Sequence, residues 1–153
     1  MTPSQADFEH AKQLVEATIR KLGLDPAAVL CPPALQSETQ VAWMLKRGSA
    51  SVLVTVTHRQ EEKAAYLRVA APVIGLPADA GRHPALFRRL LELNAAGLAN
   101  AAFGLTGDKV VVVSERPAPG LGAEEVEQSI RHLAAVADTF DDRLAKDFGG
   151  TKP

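Results

Sequence analysis

Apolar residues return at three- and four-residue steps near the start of the chain: Phe8, Ala11, Val15, Thr18, Ile19 and Leu22. That period predicts an amphipathic helix with one buried stripe. Ser4 with Asp7 three residues on reads as a capping box that opens it. Gly23 is placed to end it in the left-handed conformation. Glu16 and Arg20 stand one turn apart on the exposed side. From Leu24 to Ser37 the prolines Pro26, Pro32 and Pro33 disfavour regular structure and predict a loop. The period then shortens to two. "QVAWMLKR" alternates Val41, Trp43 and Leu45 with Ala42, Met44 and Lys46, and Gly48 and Ser49 supply a turn. "SVLVTVTHR" sets Val52, Val54 and Val56 against Leu53 and Thr55. After the polar Gln60 to Lys63, "AAYLRVAAPV" sets Leu67, Val69 and Ala71 against Tyr66, Arg68 and Ala70. Three strands joined by short polar loops form an antiparallel meander.

Pro72 and Pro77 mark the exit, "ADAGRH" is a linker, and Pro84 suits the first position of a second helix. Leu86, Phe87, Leu90, Leu91, Leu93 and Leu98 make that helix apolar around its girth. It is expected to be buried on two sides, in the core or at a subunit contact. "AAFGL" and "KVVVVSE" read as a hairpin about Thr106-Gly107-Asp108, with Val110 to Val113 covered on both faces. Val126, Ile130, Leu133, Ala137, Phe140 and Leu144 predict a last helix from about Ala123 to Phe148, stopped by Gly149 and Gly150. Glu124 and Glu125 suit its N-terminus, Arg143 and Lys146 its C-terminus, and Glu127–Arg131 and Asp142–Lys146 are spaced as ion pairs. The fold class is α+β, a five-stranded antiparallel sheet in the order α-β-β-β-α-β-β-α. The first and third helices lie mainly on one face. Residues 1–150 read as a single domain and 151–153 as a tail.

Composition adds constraints rather than a function. The net charge of −1 offers no global field for nucleic acid or an anionic membrane. Cys31 is the only cysteine, so no internal disulfide forms, and a lone thiol suits a reducing cytoplasm. "MTPSQADFEHAKQLVEA" lacks the basic head and apolar block of a signal peptide, and no apolar run is long enough to span a bilayer. The expected location is cytoplasmic.

Candidate chemistry is sparse. His10, His58, His83 and His132 are scattered without ligand spacing and read as surface residues. Asp138, Asp141 and Asp142 read as a solvated helix face, with Lys146 within reach of Asp142. "PGLGAEEV" has Glu125 where a phosphate-binding turn needs glycine or alanine, and Glu124 and Glu125 put negative charge at the helix end. Cys31 reads as a passive thiol, and Ser4, Ser51 and Ser114 lack the setting of a nucleophile elbow. No catalytic residue, metal or cofactor is assigned. Arg82, His83, Arg88 and Arg89 form a basic cluster, and a nucleic-acid patch on Arg82, Arg88 and Arg89 is the alternative reading. The outer sheet face says more. With Val41, Trp43 and Leu45 turned inward, Met44, Leu53 and Tyr66 turn outward on three strands. That apolar patch suits a protein partner or a second copy of the chain.

The element order, "LLELNAAGLANAAFGL", "GDKVVVVSERP" and the long last helix resemble the YbjN-like family, which shares the fold of type III secretion chaperones. The resemblance runs from about Ser4 to Asp147, its clearest local match Leu90-Leu91-Glu92-Leu93-Asn94 followed by Phe103-Gly104-Leu105. It implies a small homodimer that wraps an extended segment of a client protein across hydrophobic patches. In these terms the motif is scaffold. Asn94 is placed to satisfy free backbone groups near the end of its helix, and the small residues from Ala95 to Ala101 allow close approach to a neighbour.

Overall fold

The computed structural model describes residues 1–153. Helix α1 (Pro3–Lys21) precedes strands β1 (Gln40–Arg47), β2 (Ala50–Arg59) and β3 (Ala64–Gly75). Then come α2 (His83–Ala96), β4 (Ala102–Thr106), β5 (Lys109–Pro117) and α3 (Ala123–Phe148). The order is the one the hydrophobic periods predict. The five strands make one sheet, β1-β2-β3-β5-β4, so β1 and β4 are its edges. Burial largely alternates along β2: Val52, Val54 and Val56 are wholly buried and Leu53 and Thr57 on the other face are partly exposed, while Thr55 on that face is buried.

The residues gather into two units, Met1–Leu45 with Leu53–Val69 and Glu115–Arg131, and Lys46–Val52 with Ala70–Ser114 and His132–Pro153. In the first, the α1 stripe of Phe8, Ala11, Val15 and Ile19 is buried, as are Trp43, Leu45, Val54, Leu67, Val126 and Ile130. Lys21 Nζ reaches Glu127 Oε2 at 3.3 Å and ties the end of α1 to α3. The helix opens earlier than its Ser4/Asp7 spacing predicts. Thr2 is the cap, paired reciprocally with Gln5, because Pro3 suits the first helical position and draws the start upstream. Ser4 is thereby freed and buried, its Oγ 2.8 Å from His58 Nε2. Gly23 ends the helix with φ +83°, as expected.

In the second unit, Leu86, Leu90, Val110, Val112, Leu133 and Leu144 are buried, and Phe103 meets Phe140 edge-on at 5.3 Å. One expectation is corrected here and another narrowed. The valine run is not covered on both faces, because strand alternation buries Val110 and Val112 and leaves Val111 and Val113 partly exposed. Within the chain α2 buries one side only, with Leu86 and Leu90 buried and Leu91 68% exposed, so of the two expected settings for its second side the subunit contact is the one left. The β4–β5 turn is Gly107-Asp108 alone, since Thr106 pairs with Lys109.

Candidate functional site

The sheet edges decide where another chain can add. Along β1, part of the loop from Leu24 to Ser37 lies as a partial strand: Met44 N–H donates to Val29 O, and Cys31 N–H donates to Ala42 O, both at 2.9 Å. The Gln36 amide completes the cover, accepting from Ala42 N–H at 3.0 Å and donating to Ala42 O at 2.8 Å. On β4 the Asn94 amide does the same, accepting from Phe103 N–H at 2.8 Å and donating to Phe103 O at 3.1 Å. Asn94 therefore serves a neighbouring strand rather than the end of its own helix. Because Phe103 turns its backbone groups outward, alternation turns those of Leu105 outward too, and the Leu105 side chain is 47% exposed.

On the outer face, β1 and β2 are joined by the two-residue turn Gly48-Ser49, and His58 N–H donates to Thr39 O at 2.8 Å. That register sets Met44 opposite Leu53. Met44 is 41% exposed and Leu53 partly so. Tyr66 belongs to a different neighbourhood. Its ring lies 4.2 Å beneath the Arg59 guanidinium, and its hydroxyl donates to Glu62 Oε2 at 2.8 Å. With Arg59 set against Ala64, Tyr66 faces Thr57, four residues from Leu53 on β2 and roughly 13 Å along the strand. Met44 and Leu53 thus form one apolar pair, and Tyr66 stands toward the loop end. There it joins an ionic group in which Arg59 Nη2 meets Glu115 Oε1 at 3.0 Å and Arg68 meets Glu115 Oε2 at 3.6 Å. The Glu62 hydrogen bond, and then partial burial, push the Tyr66 phenol above its ordinary value.

A groove of about 410 Å³ runs between α1 and the loop that covers β1. Leu30, Val41 and Pro26 supply apolar surface, and Lys12, Glu16 and Arg20 of α1 supply a charged rim. A second, more open hollow of about 680 Å³ lies on α2, lined by Pro84, Phe87, Leu91 and Ala95 with Arg88 and Glu92.

The remaining candidates are spread apart. Arg82, Arg88 and Arg89 are all exposed, but Arg88 Nε is bonded to Glu92 at 3.1 Å and Arg82 lies over Gly149. The histidines are not all surface residues as expected. His58 is buried, and His83 and His132 are part-buried, bonded to the carbonyls of Pro77 and Leu98 at 2.7 and 2.5 Å. Those backbone oxygens need partners, and imidazole supplies them. No group of three His, Cys, Asp or Glu side chains is placed to hold a metal. Asp138 accepts from Ser49 at 2.6 Å, and Asp142 pairs at 2.7 Å with Lys152 rather than with Lys146. Asp141 is buried rather than solvated. Glu125 accepts from Gly122 N–H and pairs with Arg116, so this helix end carries its own anion. Cys31 is buried, and burial pushes its thiol pKa up, which keeps it protonated and unreactive. Sequence reasoning missed Gln36 altogether; the one available signal was an amide in a proline-rich loop just ahead of an edge strand.

No helix is long and apolar enough to cross a membrane. No curated protein sequence matches the chain. Solved structures similar in fold include components of three complexes. The chain matches a component of the ExsC-ExsE complex over 94% of its own length and 97% of the other's, with TM-score 0.62 and 19% identity. It matches a component of the HopA1-SchA chaperone-effector complex over 92% and 99%, with TM-score 0.57 and 13% identity. It matches a component of the heterodimeric ExoU-SpcU complex from the type III secretion system of Pseudomonas aeruginosa over 83% and 94%, with TM-score 0.53 and 11% identity. Residues 9–153 match the family described as T3SS (YopN, CesT) and YbjN peptide-binding chaperone 1, TY-Chap1, and the chain belongs to that family.

Proposed function

We propose that this member of a peptide-binding chaperone family is a non-enzymatic, cytoplasmic holder of an extended client segment, working as a homodimer. The observation that supports the reading is the outer sheet face, where Met44 and Leu53 oppose each other and stay exposed or partly exposed and Tyr66 offers a further anchor. A client side chain buried against such a pair contributes about 1.5–3 kcal/mol before its ordering costs. Several anchors at intervals along an extended segment give useful affinity without any one deep pocket. The groove along α1, with its apolar floor and charged rim, continues the same chemistry. The similarity to components of chaperone-effector complexes supports a protein client. The exposed stripe of α2, Pro84, Phe87, Leu91 and Ala95, is the face assigned to the second copy.

The test is the pair Leu53→Glu and Tyr66→Glu in one chain. Crosslinked partners captured from native cytosol and read by mass spectrometry should disappear, while far-ultraviolet circular dichroism and Trp43 emission stay those of the parent. An unchanged set of partners would place the client elsewhere.

A further inference from the structure

Strand β3 is longer than its neighbour: β2 has ten residues and β3 twelve. The four-residue loop Gln60–Lys63 sets Arg59 against Ala64, so β2 ends beside Val73, and Gly75 extends past it. Leu76 N–H donates to Asp108 O, on the β5 side. Alternation therefore turns the backbone groups of Gly75 toward the lane that β2 has vacated. Thr151 occupies that lane as an antiparallel bridge, with Gly75 N–H donating to Thr151 O at 2.7 Å and Thr151 N–H donating to Gly75 O at 3.3 Å.

The residues around the bridge fit one another closely. A Cβ on Gly150 would lie 2.6 Å from Gly75 O and 2.7 Å from Ile74 Cδ1, so only glycine sits there. A Cβ on Gly75 would lie 2.5 Å from Thr151 Oγ1, so the missing side chain makes room for the threonine hydroxyl. Gly149, at φ +78°, passes beneath Arg82, where a Cβ would stand 2.7 Å from Nη1. Lys152 Nζ then meets Asp142 Oδ1 at 2.7 Å and Asp141 Oδ2 at 4.0 Å. Two backbone hydrogen bonds, two positions that exclude side chains, a space shaped for a β-branched hydroxyl and a pair of carboxylates for a cation make up a short peptide site.

We propose that the overhanging end of β3 is a strand-addition site, filled in cis by Gly149–Lys152. Its ligand in trans is an extended segment of two glycines followed by threonine and lysine. The site lies at Gly75, Asp141 and Asp142 and does not depend on Met44, Leu53 or Tyr66.

The probe is a fluorescein-labelled synthetic peptide with the sequence Asp147 to Pro153, read by anisotropy against the full-length chain. Thr151→Pro removes the N–H that bonds Gly75 and vacates the lane, so this variant should bind the probe at least about tenfold tighter than the parent. The same peptide carrying proline in place of its threonine should not bind. Lys152→Glu, an exposed change that leaves the backbone bridge intact, provides a second opening and should tighten the probe by a smaller factor. Equal probe binding by parent and both variants, with parental circular dichroism, would show a strap that only seals the edge and would overturn the proposal. Equal binding of the proline-bearing peptide would overturn it too. Neither result bears on client capture, which the Leu53 and Tyr66 substitutions read separately.

Discussion

Asn94 pairs with Phe103 as one strand residue pairs with another, its side-chain amide accepting from the N–H and donating to the carbonyl. A helix residue thus closes the edge of a sheet at the point where β4 leaves its backbone groups unpaired. Gln36 does the same for Ala42 on the opposite edge. An open edge invites another strand, and each amide satisfies one residue of it without building a strand.

The first prediction is that Asn94→Ala costs about 1–3 kcal/mol, because two part-buried backbone groups lose their partner. Urea unfolding followed by Trp43, the single and fully buried tryptophan, measures it. Asn94→Asp adds a sign. An ionised carboxylate accepts from Phe103 N–H but repels Phe103 O, so at neutral pH it should be no better than alanine. Below the carboxylate range its O–H donates again, and the variant should gain stability relative to Asn94→Ala as the pH falls. Parallel pH profiles for the two would refute the two-point pairing.

Tyr66 gives a second, cleaner readout, because it is the only tyrosine in the chain. Its hydroxyl donates to Glu62, and partial burial acts in the same direction, while Arg59 over the ring opposes both. The phenolate absorbance should titrate above the ordinary 10.0, and Glu62→Ala should move the midpoint back toward it. A raised pKa in the folded chain means that its contribution to stability is complete below the ordinary value. That contribution is lost as the pH rises through the folded value. A midpoint indifferent to Glu62→Ala would remove the hydrogen bond from the account.

What could be read from the sequence, and what could not, divides by the range of the interaction. The α1 stripe from Phe8 to Ile19 and the alternation of Val52, Val54 and Val56 are local periods, and each lies buried where its period places it. Val110 to Val113 have no alternation to read, so their facing depends on the register with β4, a tertiary fact. The Ser4–His58 bond joins residues 54 apart, and Gln36 finds Ala42 only once its loop folds back on β1. Neither leaves a spacing in the chain. The girth of α2 shows a related limit: the residues are visibly apolar, but nothing in their order says which of them the same chain covers. Met44 and Leu53 were legible as outward residues, whereas the separation of Tyr66 from them follows from where Arg59 stacks.

Cys31 should behave as a buried, neutral thiol. It is 6% exposed, and burial holds its pKa above the ordinary 9.0. At mildly alkaline pH, iodoacetamide should label it at least about tenfold more slowly in the native chain than in urea, as intact mass will show. Its contribution to stability is complete below 9.0 and declines as the pH rises past that value toward the raised folded one. Equal labelling rates would mean that the loop over β1 opens freely.

The exposed stripe on α2 carries the last prediction. Pro84, Phe87, Leu91 and Ala95 follow one another at steps of three, four and four residues and so share one face. Leu91, the one leucine on it, is 68% exposed. A two-fold contact buries each such residue twice, so covering Leu91 contributes about 1.5–3 kcal/mol per copy. Leu91→Glu removes that gain and sets two carboxylates against each other. Light scattering should then report the mass of one chain where the parent gives two. The unfolding free energy of the single chain should stay within about 0.5 kcal/mol of the parent, because the side chain contributes nothing to its core. A parent that already runs as one chain at micromolar concentration, or a Leu91→Glu variant that still runs as two, would take α2 out of the dimer contact. The stripe would then need another occupant.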